Sequence, residues 1–420
     1  MSGLAPHTEA QPGLELPPPI HCTLALIHPT HSPLLVAQLR QRLRDLGAKP
    51  CHEDRLLRGW SQAGSYDRKN SAAETFFPLA LRNELPAIEA ELHGLARLHG
   101  EYPAIGHRSH DRSPSLPRRP SPLSSAASGR GDERERPSSG LAGEEANLAL
   151  RASSNDESVA RLLVELHDGQ MVESVLLPRG GLCVSTQVGC AVGCVFCMSG
   201  RAGLLRQLGS AEIVAQVVLA RRRRAVSKVV FMGMGEPAHN LDNVLEAIKL
   251  LGTYGNIGHK NLVFSTVGDI RVFERLAMES VKPALALSLH STDAKLRSSL
   301  LPRAPQIAVE ELVERAEAYA RATGYPVQYQ WTLLEDINDS DAELERIAQL
   351  LSGKYAVMNF IPFNAVDGLA YRRTSPERIA AMALALKRRG ILAKVRDSAG
   401  QEIEGACGQL RARKAQASLP

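Results

Sequence analysis

Nowhere in the 420 residues does an apolar run approach the roughly 18 that a membrane span needs, and no basic start followed by an apolar stretch marks a secretory leader. Those absences predict a cytoplasmic protein without a membrane partner. Aromatic residues are scarce at 4%, so no stacking platform for nucleic acid can be picked out. Neither sign of charge dominates: 50 Lys plus Arg against 45 Asp plus Glu leave +5, which permits a polyanionic partner without demanding one. Cysteine is also rare, and its count of seven is odd, which excludes a fully paired disulfide framework. Yet four of the seven fall in "CVSTQVGCAVGCVFC", from Cys183 to Cys197. In a reducing compartment, thiols crowded in this way ligate metal or perform chemistry more often than they form bridges.

What is present suffices for a large core, with 44% hydrophobic and 23% charged residues and room for more than one folding unit. Residues 1–33, rich in Pro and His, show no period and read as poorly ordered. Helical spacing in "PLLVAQLRQRLRDLGAKP" and "ALRNELPAIEAELHGLARL" predicts a small all-α accessory domain over 34–99. Residues 100–148 carry too little apolar content to fold and read as a Pro/Ser/Arg-rich linker. From 149 to 182 apolar and polar residues alternate around His167-Asp168-Gly169-Gln170, predicting a β-hairpin. Beyond it, the strand-like runs "KVVFM", "NLVFST", "ALALSL", "VQYQWTLL", "VMNFIPF" and "ILAKV" alternate with helical ones such as "SAEIVAQVVLARRRR", "NVLEAIKLL", "VEELVERAEAYARA", "DAELERIAQLLS" and "SPERIAAMALALKRRG". Strand and helix in turn give an α/β fold with a parallel sheet of roughly six βα units, an open or partial barrel over 183–410, with a basic tail at 411–420. Active groups then belong at the C-terminal strand ends. The run Arg221 to Arg224 either grips phosphates or simply complements the dipole of a helix end.

Cys190, Cys194 and Cys197 have the spacing C-x3-C-x2-C on one short loop. Three thiolates can hold three irons of a [4Fe-4S] cluster and leave the fourth open, whereas structural zinc takes a closed set of four, with Cys183 as the remaining candidate. The absence of a second C-x2-C pair favours the cluster. This spacing at the exit of a first barrel strand resembles the radical S-adenosylmethionine (SAM) superfamily. "CVSTQVGCAVGCVFC", "FMGMGEPAHNLDNV", "LALSLHS", "NFIPFN" and "GACGQL" narrow the resemblance to the RlmN/Cfr family of RNA adenine methyltransferases, over about Val172 to Leu410. The helical region, with "LRDLGAKP" and "LALRNEL", is more weakly similar to that family's accessory domain, which would contact RNA.

The resemblance implies a partial (β/α)6 radical SAM barrel and a set of roles. Cys190, Cys194 and Cys197 would hold one [4Fe-4S] cluster, and two SAM would be used per turnover. The first SAM would methylate Cys407; the second would yield a radical that abstracts hydrogen from that methyl group, and the resulting carbon radical would add to an adenine ring carbon, carbon-2, of ribosomal or transfer RNA. Glu173, matching the family's base, would remove the proton from the attacked carbon, and Cys183 would attack the bridging sulfur and release RNA with a transient disulfide. Gly235, Glu236, Ser265, Ser288, Leu289, His290 and Asn364 match SAM contacts. A reductant such as flavodoxin or ferredoxin and a monomeric state complete the family's pattern. Taken alone, Cys183 could be a small buried hydrophobe and Glu173 an exposed hairpin carboxylate, while Cys407, between Ala406 and Gly408, is in a loop where access is expected. The chain departs from the family in "MSGRAGL" and "STVG", segments outside the catalytic set. Another radical SAM enzyme, or a metal-bound RNA adaptor without catalysis, remains as an alternative.

Overall fold

The computed structural model describes residues 34–67, 72–104, 159–366, 368–396 and 400–412. The expected N-terminal segment 1–33, most of the linker, the start of the hairpin region and most of the basic tail lie outside these residues.

The first described elements are helical, as their periodicity requires. Helix α1 (Val36–Asp45) buries Val36, Leu39 and Leu43, and α2 (Pro50–Ser61) starts on Pro50, whose fixed φ and missing N–H suit a first helical position. After the short α3 (Ala73–Phe76), α4 (Leu79–Gly94) buries Leu81, Ile88 and Leu92. Between these helices the buried Glu53 receives Arg40 at 3.0 Å and Arg44 at 2.8 Å. One boundary differs from expectation. Residues 96–103, assigned above to the end of the helical domain and the start of the linker, form strand β1 (Ala96–Pro103), whose alternating burial marks a half-covered edge strand.

Strand β1 is one edge of a ten-stranded sheet of order β1-β2-β3-β4-β7-β8-β9-β10-β11-β12. Strands β2 (Ala160–Leu166), β3 (Met171–Leu177) and β4 (Gly181–Cys183) pair antiparallel with one another, and β1 pairs antiparallel with β2, so the hairpin forms as the turn signal predicts. From β4 onward all pairing is parallel, through β7 (Lys228–Phe231), β8 (Leu262–Thr266), β9 (Ala284–Ser288), β10 (Val327–Leu333), β11 (Ala356–Pro362) and β12 (Leu392–Val395). The sheet stays open, because β1 and β12 end the order. Between β4 and β7 the chain makes a separate two-stranded ribbon, β5 (Gln187–Gly189) with β6 (Leu204–Gln207), around the cysteine loop.

Helices connect the parallel strands. They are α5 (Ser210–Arg221), α6 (Leu241–Thr253), α7 (Ile270–Met278), α8 (Ala294–Leu300), α9 (Val309–Thr323), α10 (Asp341–Leu351) and α11 (Pro376–Arg388). Side-chain oxygens of Asp269, Asp293, Ser340 and Ser375 cap α7, α8, α10 and α11. Helix α5 is buried from Ser210 to Ala220, because it packs against α2, α4, α6 and β1 at once. Its buried Glu212 is therefore paired, with Arg206 at 2.9 Å. The Arg221–Arg224 run is committed to the helix end: Arg221 donates to the carbonyls of Ser61, Val226 and Gly255, and Arg223 pairs with Glu101.

Candidate active site

The three loop cysteines follow β5 directly, and the chain around them is pinned at several points. The Cys190 N–H donates to Gly203 (3.0 Å), the Val195 N–H to Leu300 (3.1 Å), and Arg303 Nη1 donates to the Ala191 carbonyl (3.0 Å). Gly193 sits at φ +66°, and a Cβ on Gly200 would meet the Gly193 backbone at 2.8 Å, so the two glycines let the loop fold on itself. Burial pushes the Cys190 thiol up to about 12, and Cys194 and Cys197 are also raised, by burial first and, for Cys194, by the neighbouring thiols as well. Thiols so placed ionise only with a cationic partner, which iron supplies. Among the described residues no three His, Cys, Asp or Glu side chains converge to hold a single ion. Three thiols on one short loop fit the three protein-held corners of a [4Fe-4S] cluster, each thiolate taking a separate iron.

The residues matched to SAM collect at strand ends. Gly235, after β7, has φ +104°, and a Cβ there would meet the Gln187 side chain at 2.7 Å; only glycine allows this approach. Glu236 is buried, its amide donating to Gln187 Oε1 (2.7 Å), and its carboxylate accepts from the amides of Ala238 (3.2 Å) and Val267 (3.1 Å). Burial raises it to about 7. Ser265 and Ser288 lie in β8 and at the end of β9. Leu289 and His290 are engaged internally: the Leu289 amide donates to Gln330 (3.0 Å), and His290 Nδ1 accepts from the Thr332 amide (3.0 Å). Burial, with Arg297 beside it, lowers His290 to about 3, so its ring is neutral, packed 4.8 Å from the ring of Phe196.

Arg297 was not legible in the sequence. Its guanidinium is buried on α8 and donates to the carbonyls of Val267 and Ser288, joining the ends of β8 and β9. Burial lowers it to about 10 against the pull of Cys194 and Glu236, which places a cation beside the cysteine loop. Nothing in "DAKLRSSLL" signals that, since α8 is too short to show a period.

Cys183 and Cys407, far apart in sequence, face one space. Both line a cavity of about 700 Å³, as does Cys197, and all six described cysteines are free thiols. Cys183, at the end of β4, is pushed up to about 12 by burial, with Cys407 nearby adding to it. Cys407 is exposed on the loop 400–412. Asn364 Nδ2 donates to its carbonyl (3.0 Å), the Gly408 carbonyl accepts from the Met198 amide (2.8 Å), and the Leu410 carbonyl accepts from Ser199 Oγ (2.8 Å). Asn364 thus holds the Cys407 loop, and its own oxygen has no partner.

Glu173 is not an exposed hairpin carboxylate. It is 1% exposed. Arg161 Nη1 pairs with one oxygen at 2.5 Å and the Arg411 amide donates to the other at 2.8 Å. It shares a face of β3 with Val175, the partner of Cys183 across the β3–β4 register, but does not line the cavity, because its oxygens are taken up by the hairpin and the Cys407 loop. Arg161, which also donates to the Ile403 carbonyl (2.7 Å) and lies over the Tyr102 ring at 4.4 Å, is a second residue the sequence did not signal.

Comparison with known proteins agrees with this architecture. Residues 184–350 match the radical SAM superfamily. Proteins named probable RNA methyltransferase from Azoarcus sp. and from Pseudomonas aeruginosa are each 60% identical to the chain over 90% of its length, covering 94% and 95% of their own. The crystal structure of a radical SAM methyltransferase from Sphaerobacter thermophilus is 31% identical, with a TM-score of 0.69, covering 91% of this chain and 98% of that one. Superfamily membership implies a [4Fe-4S] cluster and SAM, which the cysteine loop and the Gly235–Glu236 turn fit. Among the described residues no helix is long and apolar enough to cross a membrane. The chain belongs to the radical SAM superfamily and, within it, to the same family as these probable RNA methyltransferases.

Proposed function

We propose that the protein is a radical SAM methyltransferase of the RlmN/Cfr type that methylates carbon-2 of an adenine in ribosomal or transfer RNA through S-methylated Cys407. The observation that carries the reading is the meeting of Cys183, Cys407 and the cluster-loop Cys197 on one cavity. When bound, the cluster and SAM supply the electron and the radical chemistry that an unreactive ring carbon requires. Cys190, Cys194 and Cys197 would hold the cluster, and Gly235, Glu236, Ser265, Ser288, Leu289, His290 and Asn364 would surround SAM, with Leu289 and His290 shaping the site rather than donating freely.

The chain's own residues then divide the work. Cys407 Sγ accepts the methyl group, and the carbon of that group, still attached to the sulfur, forms the bond to the ring. Glu173 takes the ring proton, which needs the Arg411 amide to leave its carboxylate and so couples proton removal to movement of the Cys407 loop. Cys183 Sγ attacks Cys407 Sγ, breaking the bond from that sulfur to the bridging methylene; the electron pair stays on that carbon, which takes a proton to become the methyl group, a Cys183–Cys407 disulfide remains, and the odd electron of the ring adduct would be taken back by the bound cluster. Arg396, which lines the cavity and favours the Cys183 thiolate, supports the attack. A low-potential carrier of the flavodoxin or ferredoxin kind would supply electrons to a monomer.

Two measurements on one preparation test this. Mass spectrometry of the active protein finds a methyl group on Cys407, and the Cys183→Ala variant accumulates RNA bound covalently to Cys407. If neither species forms in material that contains iron and cleaves SAM, the mechanism is wrong. Protein that binds one zinc and no cluster would instead support the adaptor.

A further inference from the structure

The cavity that holds Cys183 and Cys407 also gathers four cations: Arg179, Lys228, Lys394 and Arg396. They come from the β3–β4 turn, the start of β7, and the end of β12 with the residue after it. Among the described residues none of the four has a carboxylate partner; Arg396 reaches only Gln330 Oε1, at 3.3 Å. Lys228 and Lys394 are exposed at the rim of the cavity, and partial desolvation there, with the charges of Arg396, Arg179 and Lys394, holds Lys228 below the ordinary lysine value.

Two further features point to a ligand. Arg179 stands at φ +57° beside Gly180 at +69°, a left-handed pair that disfavours a side chain other than glycine, and the strained residue is one that faces the cavity. Asn359, 3% exposed on β11 and lining the same space, has an amide nitrogen without a partner among the described residues. A buried donor of this kind awaits an acceptor. Dimensions agree as well. Lys228 pairs with Gly181, and Cys183 is two residues further along β4, which is about 7 Å of strand. In a nucleotide the sugar separates phosphate from base by a span of that order, and about 700 Å³ is within the range of small-molecule sites.

We propose that Arg179, Lys228, Lys394 and Arg396 hold the phosphates flanking a single extruded nucleotide whose base points to Cys183 and Cys407, with Asn359 donating to that nucleotide. This rests on the RNA-methylation reading and assigns the substrate's grip, which the scarcity of aromatic residues left unassigned. Fixed cations at the cavity offset the cost of unstacking a base, because each phosphate contact releases counterions.

The test uses the full-length, cluster-loaded protein and a fluorescein-labelled heptaadenylate, titrated by anisotropy between about 50 and 200 mM salt. Lys228→Gln and Lys394→Gln each weaken binding about tenfold and reduce the slope of log affinity against log salt by about 0.7. Lys394→Arg restores both, and Lys249→Gln, on the exposed side of α6, changes neither. In competition, adenosine 5′-monophosphate displaces the probe from the wild type better than adenosine does, and the Lys228→Gln/Lys394→Gln double variant loses that preference. Unchanged affinity and slope in both single variants, with cluster absorbance retained, would overturn the assignment. So would an equal loss from Lys249→Gln, which would mean a diffuse field and no site. Wild-type protein that binds the probe through these residues yet never carries methyl on Cys407 would instead sink the methyltransferase reading and leave the phosphate site standing.

Discussion

Replacing Glu173 by Gln tests whether this carboxylate locks the loop that carries Cys407. Glu173 is 1% exposed and its partner Arg161 has a side chain 12% exposed, so the pair is shielded from solvent. Gln keeps the volume and one accepting oxygen but removes the charge, leaving Arg161 with the Ile403 carbonyl and the Tyr102 ring. Removing one partner of a buried pair costs about 3–5 kcal/mol, and the retained acceptor selects the lower end. About 3 kcal/mol is on the order of a hundredfold rise in the opened population. Native-state hydrogen exchange reads this directly at the Arg411 amide, whose bond goes to Glu173, and the rate of Cys407 alkylation reads it at the thiol. Protection of that amide falls on the order of a hundredfold, while amides in β10 and β11 keep theirs. The Glu173→Gln/Arg161→Gln double variant recovers part of the loss, since no charge is then stranded. Exchange at Arg411 within threefold of wild type, or a double variant no better than the single one, would refute the lock.

Two other perturbations act on the proposed SAM side. Gly235→Ala forces a side chain onto a φ of +104° with its Cβ 2.7 Å from Gln187, so SAM affinity measured by calorimetry falls more than about tenfold while the iron content holds; normal affinity would mean that this turn does not meet SAM. Glu236 titrates at about 7 when buried, against 4.5 for the free side chain, so its burial favours the folded state below about 4.5, and that contribution is lost as pH rises to about 7. Binding of the SAM ammonium needs the charged carboxylate, so affinity should rise over the same interval and level off above it, a profile that Glu236→Gln would flatten.

The parallel strands were legible because each is a short β-branched and apolar run between helical periods, and the hairpin because His167-Asp168-Gly169-Gln170 carries turn chemistry. Strand β1 was not, since an edge strand facing solvent on one side, "ARLHGEYP", offers little apolar signal and runs into a polar segment. Helix α7 could have been found, with Asp269 as its cap and Val272, Phe273 and Leu276 on one face. In the site, the cysteine spacing and the glycine of the β7 turn are local patterns and survive reading in one dimension. Arg161, Arg297, Asn359 and the four cavity cations do not, because each acquires its meaning from strands and loops distant in sequence. Glu173 shows the limit most clearly: taken alone it reads as an exposed hairpin carboxylate, and only the three-dimensional contacts show it buried with both its oxygens already taken.

Those contacts make the cysteine loop and the Cys407 loop one mechanical unit. Met198 and Ser199, immediately after Cys197, donate to the carbonyls of Gly408 and Leu410, which follow Cys407. Gly408 has φ +87°, and a Cβ there would meet the Phe196 carbonyl at 2.9 Å, so the two segments approach as closely as backbone allows. Phe196 in turn packs on His290, whose neutral ring is fixed by the Thr332 amide. Burial raises the thiols of Cys190, Cys194 and Cys197, so a bound cluster would add bonds to a segment already tied to the Cys407 loop through Met198 and Ser199. Displacing either loop would therefore displace the other. Because the same loop is tied to Glu173 at Arg411, placement of Cys407 and shielding of the carboxylate are two consequences of one folded element.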